Sequence, residues 1–135
     1  MARIWSEEGK LRAWLDVELA ATAAWAELGV VPAEAARSLA ENARPPLPER
    51  VAELEATLHH DTAAFVDAVT EGLGPEGRWF HYGLTSSDVV DTALGLQIRQ
   101  AGASSPGRLF RVAKPFVRIP EEAWSRGMTG EWQIL

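Results

Sequence analysis

Between residues 10 and 28, "KLRAWLDVELAATAAWAEL", apolar side chains recur every three or four positions. Leu11, Trp14, Ala21, Trp25 and Leu28 keep one face apolar, and Leu15 and Val17 widen the stripe, which predicts a long amphipathic helix. Ser6 stands where an N-cap is needed, with Glu7 and Glu8 suited to the positive end of the helix dipole. Gly29 stops this helix and Pro32 opens a shorter one over "PAEAARSLAENA". "RPPLP" at 44–48 then breaks the chain. From Glu49 to about Leu73 the helical period returns, interrupted by "LHHDT". Asp61 is placed to cap a new helix there, with Ala64, Phe65, Ala68 and Val69 facing inward.

Gly72, Gly74, Pro75 and Gly77 predict a loop that Trp79 and Phe80 anchor by burial. A last helix is predicted from about Ser87 to Gln100, with Val90, Ala93, Leu94 and Gln97 or Ile98 on its inner side. Nothing up to residue 102 alternates like a strand for long, so this part reads as all-α. After Gly102 the period stops. Pro106, Pro115 and Pro120 interrupt the remaining residues; "RLFRVA" and "FVRI" could be short extended pieces, but no hairpin signal joins them. Residues 1–102 therefore read as a helical domain and residues 103–135 as an irregular tail.

Composition narrows the class. A chain of 135 residues has room for one domain with a core, and its 47% hydrophobic and 24% charged residues are those of an ordinary soluble protein. No apolar run approaches the roughly 20 residues of a membrane span, and no basic start precedes an apolar signal core. The absence of Cys removes disulfides and thiolate metal sites and is compatible with a cytoplasmic location. The net charge of −6 argues against a nucleic-acid backbone as main partner while leaving room for a local cationic pocket. That charge is uneven. Residues 1–102 hold 8 Lys+Arg against 16 Asp+Glu, or −8, whereas residues 103–135 hold 5 against 3, or +2. The sign changes where the helical period ends.

Two polar clusters could carry chemistry. His59-His60-Asp61 sits at a helix junction; adjacent histidines point apart on a helix, so the pair is a poor metal site without a third ligand. It reads either as an Asp cap preceded by two exposed histidines, or as an anion site in which His60 donates and Asp61 fixes the backbone. The second cluster is "HYGLTSSDVVDTAL", residues 81–94. Gly83 permits a sharp turn, Ser86 or Ser87 can cap the following helix, and Asp88 suits its first turn. His81, Tyr82 and the spare hydroxyls are left over. Free backbone N–H groups and hydroxyls at a helix start also suit a phosphate or carboxylate. Trp14 and Trp25 read as core, and the acids at 16, 18 and 27 as a solvated face. There is no P-loop, no dinucleotide-binding glycine fingerprint and no zinc-type spacing, so neither cofactor nor metal is expected.

Taken together, "IWSEEGKLRAWLDVELAATAAWAELGVVP", "HHDTAAFVDAV" and "WFHYGLTSSDVVDTAL" resemble, in order, the N-terminal region of the adenylosuccinate lyases, of the fumarase/aspartase superfamily. The resemblance runs from about Ile4 to about Gly102. It implies the all-α N-terminal domain of that superfamily and a β-elimination that cleaves adenylosuccinate, or the related succinyl-carboxamide ribotide, to a nucleotide and fumarate. By that analogy His60, Asp61, Thr85 and Ser86 line the substrate site, His60 assists placement and protonation, and His59 stands where the family usually has an Arg. The resemblance also implies a cytoplasmic homotetramer whose sites draw on several subunits.

Three departures bear on activity. The Arg-Tyr pair that precedes the "IW" segment in the family is absent, the general-acid His and base Ser of the family belong to later domains, and the basic tail from Ala103 does not resemble the family's continuing helix. The expectation is a truncated or frameshifted product, inactive alone, with a small-molecule substrate and no nucleic-acid or membrane partner. The alternatives are a non-catalytic helical interaction module, or a piece of another superfamily lyase or cycloisomerase.

Overall fold

Five α-helices and two short 3-10 turns account for most of residues 2–104, the residues described by the computed structural model. Helix α1 is Glu7–Glu27, α2 Ala33–Asn42, α3 Pro48–Leu58, α4 Asp61–Thr70 and α5 Ser86–Ser104; the 3-10 turns are Ala2–Ile4 and Pro75–Trp79. No strand occurs among the described residues, and none of the helices is long and apolar enough to cross a membrane. The helices, α5 as far as Ala101, fall within one compact unit. The predicted tail falls, from residue 105 on, outside the described residues.

The local signals act as chemistry requires. The Ser6 side chain accepts from the Gly9 N–H at 3.2 Å, satisfying one of the unpaired donors at the start of α1. Gly29, at φ +73°, supplies the left-handed turn after α1. Pro48 opens α3, where its missing N–H costs nothing. The core is built on α1: Leu11, Trp14, Leu15 and Val17 are buried against Val51 of α3, Ala64, Phe65 and Val69 of α4, Phe80, and Val89 and Ala93 of α5. Phe65 is its centre, edge-on to Trp14 at 5.4 Å and tilted against Phe80 at 6.0 Å. Arg50 of α3 joins the end of α4 through two hydrogen bonds to the Glu71 carboxylate.

Three expectations need correction. Leu28, placed on the buried face of α1, is 72% exposed, because α1 ends at Glu27 and the turn carries residue 28 away. On α5 the inner stripe is Val89, Ala93, Gln97 and Ala101, while Leu94 and Ile98 face outward. This stripe repeats every four residues, and Gln97 reaches the Ile4 carbonyl at 2.5 Å. Helix α5 also runs past Gln100, through Gly102, to Ser104.

Candidate functional site

Helices α3 and α4 meet at His59 and His60, and the junction turns on their backbone. His59 is the C-cap of α3 in the left-handed conformation, φ 54°, which lets the chain reverse within two residues. His60, extended at φ −152°, is the N-cap of α4, and its Nδ1 accepts from the Ala63 N–H at 3.2 Å. The predicted cap, Asp61, is instead the first helical residue; its carboxylate accepts from the Thr62 N–H at 2.6 Å and from the Thr62 hydroxyl at 3.2 Å. An imidazole can cap because its unprotonated nitrogen is an acceptor, and one residue earlier in the chain it is better aimed at the third N–H of the helix.

That cap determines what the ring offers. With Nδ1 accepting, the neutral imidazole carries its proton on Nε2. His60 Nε2 lies 3.4 Å from Ser86 Oγ, across 26 residues of chain, and Ser86 is the first residue of α5. The starts of α4 and α5 thus converge, and both present the positive ends of helix dipoles. Thr85, just before α5, donates its backbone N–H to the Asp88 carboxylate at 2.9 Å, and the Asp88 N–H returns to the Thr85 carbonyl at 3.0 Å. This reciprocal cap leaves the Thr85 side chain uninvolved.

Of the five sequence-predicted site residues, His60 and Ser86 come together, with Thr85 beside Ser86. His59 lies exposed next to His60. Asp61 lines an open groove with Glu7, Lys10, Glu49 and Glu55. Four carboxylates against one ammonium make that groove a poor place for an anionic ligand. No group of three His, Asp or Glu suited to a metal occurs among the described residues.

Glu18 departs from its expected place. The charge pattern assigns it to a solvated acidic face, yet it is fully buried. Its Oε1 lies 2.6 Å from His81 Nδ1 and its Oε2 accepts the His81 backbone N–H at 3.1 Å, joining α1 to the start of the 81–94 segment. Burial pushes the Glu18 carboxyl above the usual carboxylate range, opposed by the hydrogen bonds and charge of His81. A signal is present in the sequence: Leu11, Trp14, Leu15, Glu18 and Thr22 follow the helical period, so Glu18 falls on the buried stripe. Behind His81, Gly83 adopts φ +72° and lies against Trp25; a Cβ there would stand 3.0 Å from the indole. Tyr82 contacts both Trp25 and Trp79 edge-on, so the loop is seated on α1 by aromatic packing.

The helical unit superposes on a fumarate lyase from Mesorhizobium sp. BNC1 with a TM-score of 0.70 and 27% identity, covering 76% of this chain and 25% of that one. Its fold is that of the fumarate lyase superfamily. Within that class the particular resemblance is to adenylosuccinate lyase. The chain is 50% identical over 101 residues to the adenylosuccinate lyase of Bacillus subtilis, which covers 75% of this chain and 23% of the relative. It is 52% identical over 103 residues to that of Streptococcus mutans, covering 76% and 24%. No family model matches the chain. The chain thus spans about a quarter of the length of the curated relatives it matches.

Proposed function

We propose that residues from about Ile4 to Gly102 are the part of an adenylosuccinate lyase that contributes one wall of the substrate site. The observation that carries this is the convergence of His60 and Ser86 at the starts of α4 and α5. Two helix N-termini, an Nε2–H donor and the Thr85 and Ser86 hydroxyls make a set of hydrogen-bond donors suited to carboxylate or phosphate oxygens. In the reaction a base takes the proton from the carbon next to a carboxylate, the C–N bond breaks, and the departing nitrogen takes up a proton; AMP and fumarate leave. Charge builds on the carboxylate as the proton departs, and fixed donors stabilise it. His60, Thr85 and Ser86 are the substrate-side residues of this reading, with His60 in a supporting role, His59 in place of the family's Arg, and Asp61 contributing as the first residue of α4 beside His60. The complete enzyme would be a cytoplasmic homotetramer acting on a small nucleotide substrate. Residues 103–135 are read as sequence foreign to the family.

A segment about a quarter as long as its relatives is expected to give no turnover by itself. The purified 135-residue chain, mixed with adenylosuccinate and followed by loss of substrate absorbance, should stay at the buffer rate. Cleavage at a rate comparable to a complete lyase would overturn this reading.

A further inference from the structure

Glu18 has no part in the proposed lyase chemistry, yet it is the only buried carboxylate among the described residues and both of its oxygens are committed to residue 81. The backbone N–H of His81 can only donate, so Oε2 is an acceptor. His81 itself is held at φ 61°, in the left-handed region that residues other than glycine seldom enter. Its ring is 24% exposed, and the Nδ1 edge is turned to Glu18 at 2.6 Å. His60 is wired the opposite way, with Nδ1 consumed as an acceptor by its own helix.

We infer that Glu18 is a positioning residue for the 81–86 loop: its carboxylate keeps a proton on His81 Nδ1 and pins the backbone of residue 81, so that Nε2 is the one ring nitrogen left to meet a ligand. When neutral, that nitrogen is an acceptor for a hydroxyl, amine or amide N–H of the ligand. His60 presents the complementary Nε2–H donor for ligand oxygens. That a ligand meets His81 rests on the proposed substrate reading, whereas the Glu18–His81 arrangement does not.

The test is the tautomer of each ring in the 135-residue chain labelled with ¹⁵N-histidine, with signals assigned by their loss in His81→Gln and His60→Gln. Long-range ¹H–¹⁵N spectra of the neutral rings should show His81 protonated at Nδ1 and His60 at Nε2. In Glu18→Gln one amide oxygen replaces two carboxylate oxygens and cannot serve both donors. His81 should therefore shift toward the Nε2–H form while His60 stays as it was. A wild-type His81 protonated at Nε2, or a Glu18→Gln spectrum unchanged at His81, would overturn the inference. If circular dichroism shows that Glu18→Gln does not fold, the wild-type tautomer decides alone. No ligand enters the measurement, so a failed lyase reading leaves its outcome intact, and a reversed tautomer leaves the lyase reading standing.

Discussion

A carboxylate taken out of water costs several kcal/mol unless its lone pairs are satisfied, and Glu18 meets that cost with a ring nitrogen and a backbone N–H of a single residue. The loop it restrains depends equally on Gly83. There a side chain faces two obstacles at once, a left-handed backbone and the Trp25 indole at 3.0–3.2 Å. Gly83→Ala is expected to cost about 1–2 kcal/mol from the backbone alone. It should also displace Trp25 from Tyr82, which urea unfolding and near-ultraviolet circular dichroism would register together. A midpoint and aromatic signal equal to the wild type would show that the loop is not seated this way. Gly83 is legible as a turn because glycine after an aromatic pair and before a cap has few other uses. Glu18 is not, because its charge outweighs its position on the helical stripe. Its partner lies 63 residues away, which no local pattern reports.

Among the helices, caps and inter-helix ties decide where the site residues stand. Helix α4 begins where it does because the His60 imidazole takes the Ala63 N–H; it ends where Arg50 of α3 grips Glu71, the C-cap of α4. Arg50 holds the Glu71 carboxyl below its ordinary value of 4.5. A carboxylate with a depressed folded-state value stabilises the fold at pH above the unfolded value, and that contribution disappears as pH falls through the folded one. The stability difference between the wild type and Glu71→Gln should therefore be present at neutral pH and close as pH drops below about 4.5. Urea midpoints for both proteins across that range check it; a gap that widens with acid would contradict the sign. The start of α1 is legible from Ser6, Glu7 and Glu8, since a hydroxyl and two acids at a helix start have a purely local cause. The sequence places the start of α4 one residue late, because an aspartate is the commoner cap and the histidine before it does the capping. On α5 the large side chains Leu94 and Ile98 point to the wrong inner face, and Val89 and Gln97 carry little signal of their own. The face that packs is the one whose Val89 and Ala93 join the core with residues of α1 and whose Gln97 reaches Ile4.

For the unit as a whole, an all-α class is legible because period, caps and breakers agree along the first hundred residues. The meeting of His60 with Ser86 is not, since it depends on how α4 and α5 pack on α1. Transplantation shows whether this unit contributes donors to the substrate site of an adenylosuccinate lyase. Residues 4–102 would replace the matching stretch of the Bacillus subtilis adenylosuccinate lyase, to which this chain is 50% identical over 101 residues. The chimera should cleave adenylosuccinate. Thr85→Ala with Ser86→Ala in the transplanted segment should lower kcat/KM by about 10²-fold or more while the chimera keeps its assembly state, since removing one fixed oxyanion donor costs about 10²–10³ in rate. An active chimera indifferent to loss of both hydroxyls would contradict this role, as would a correctly assembled chimera with no activity.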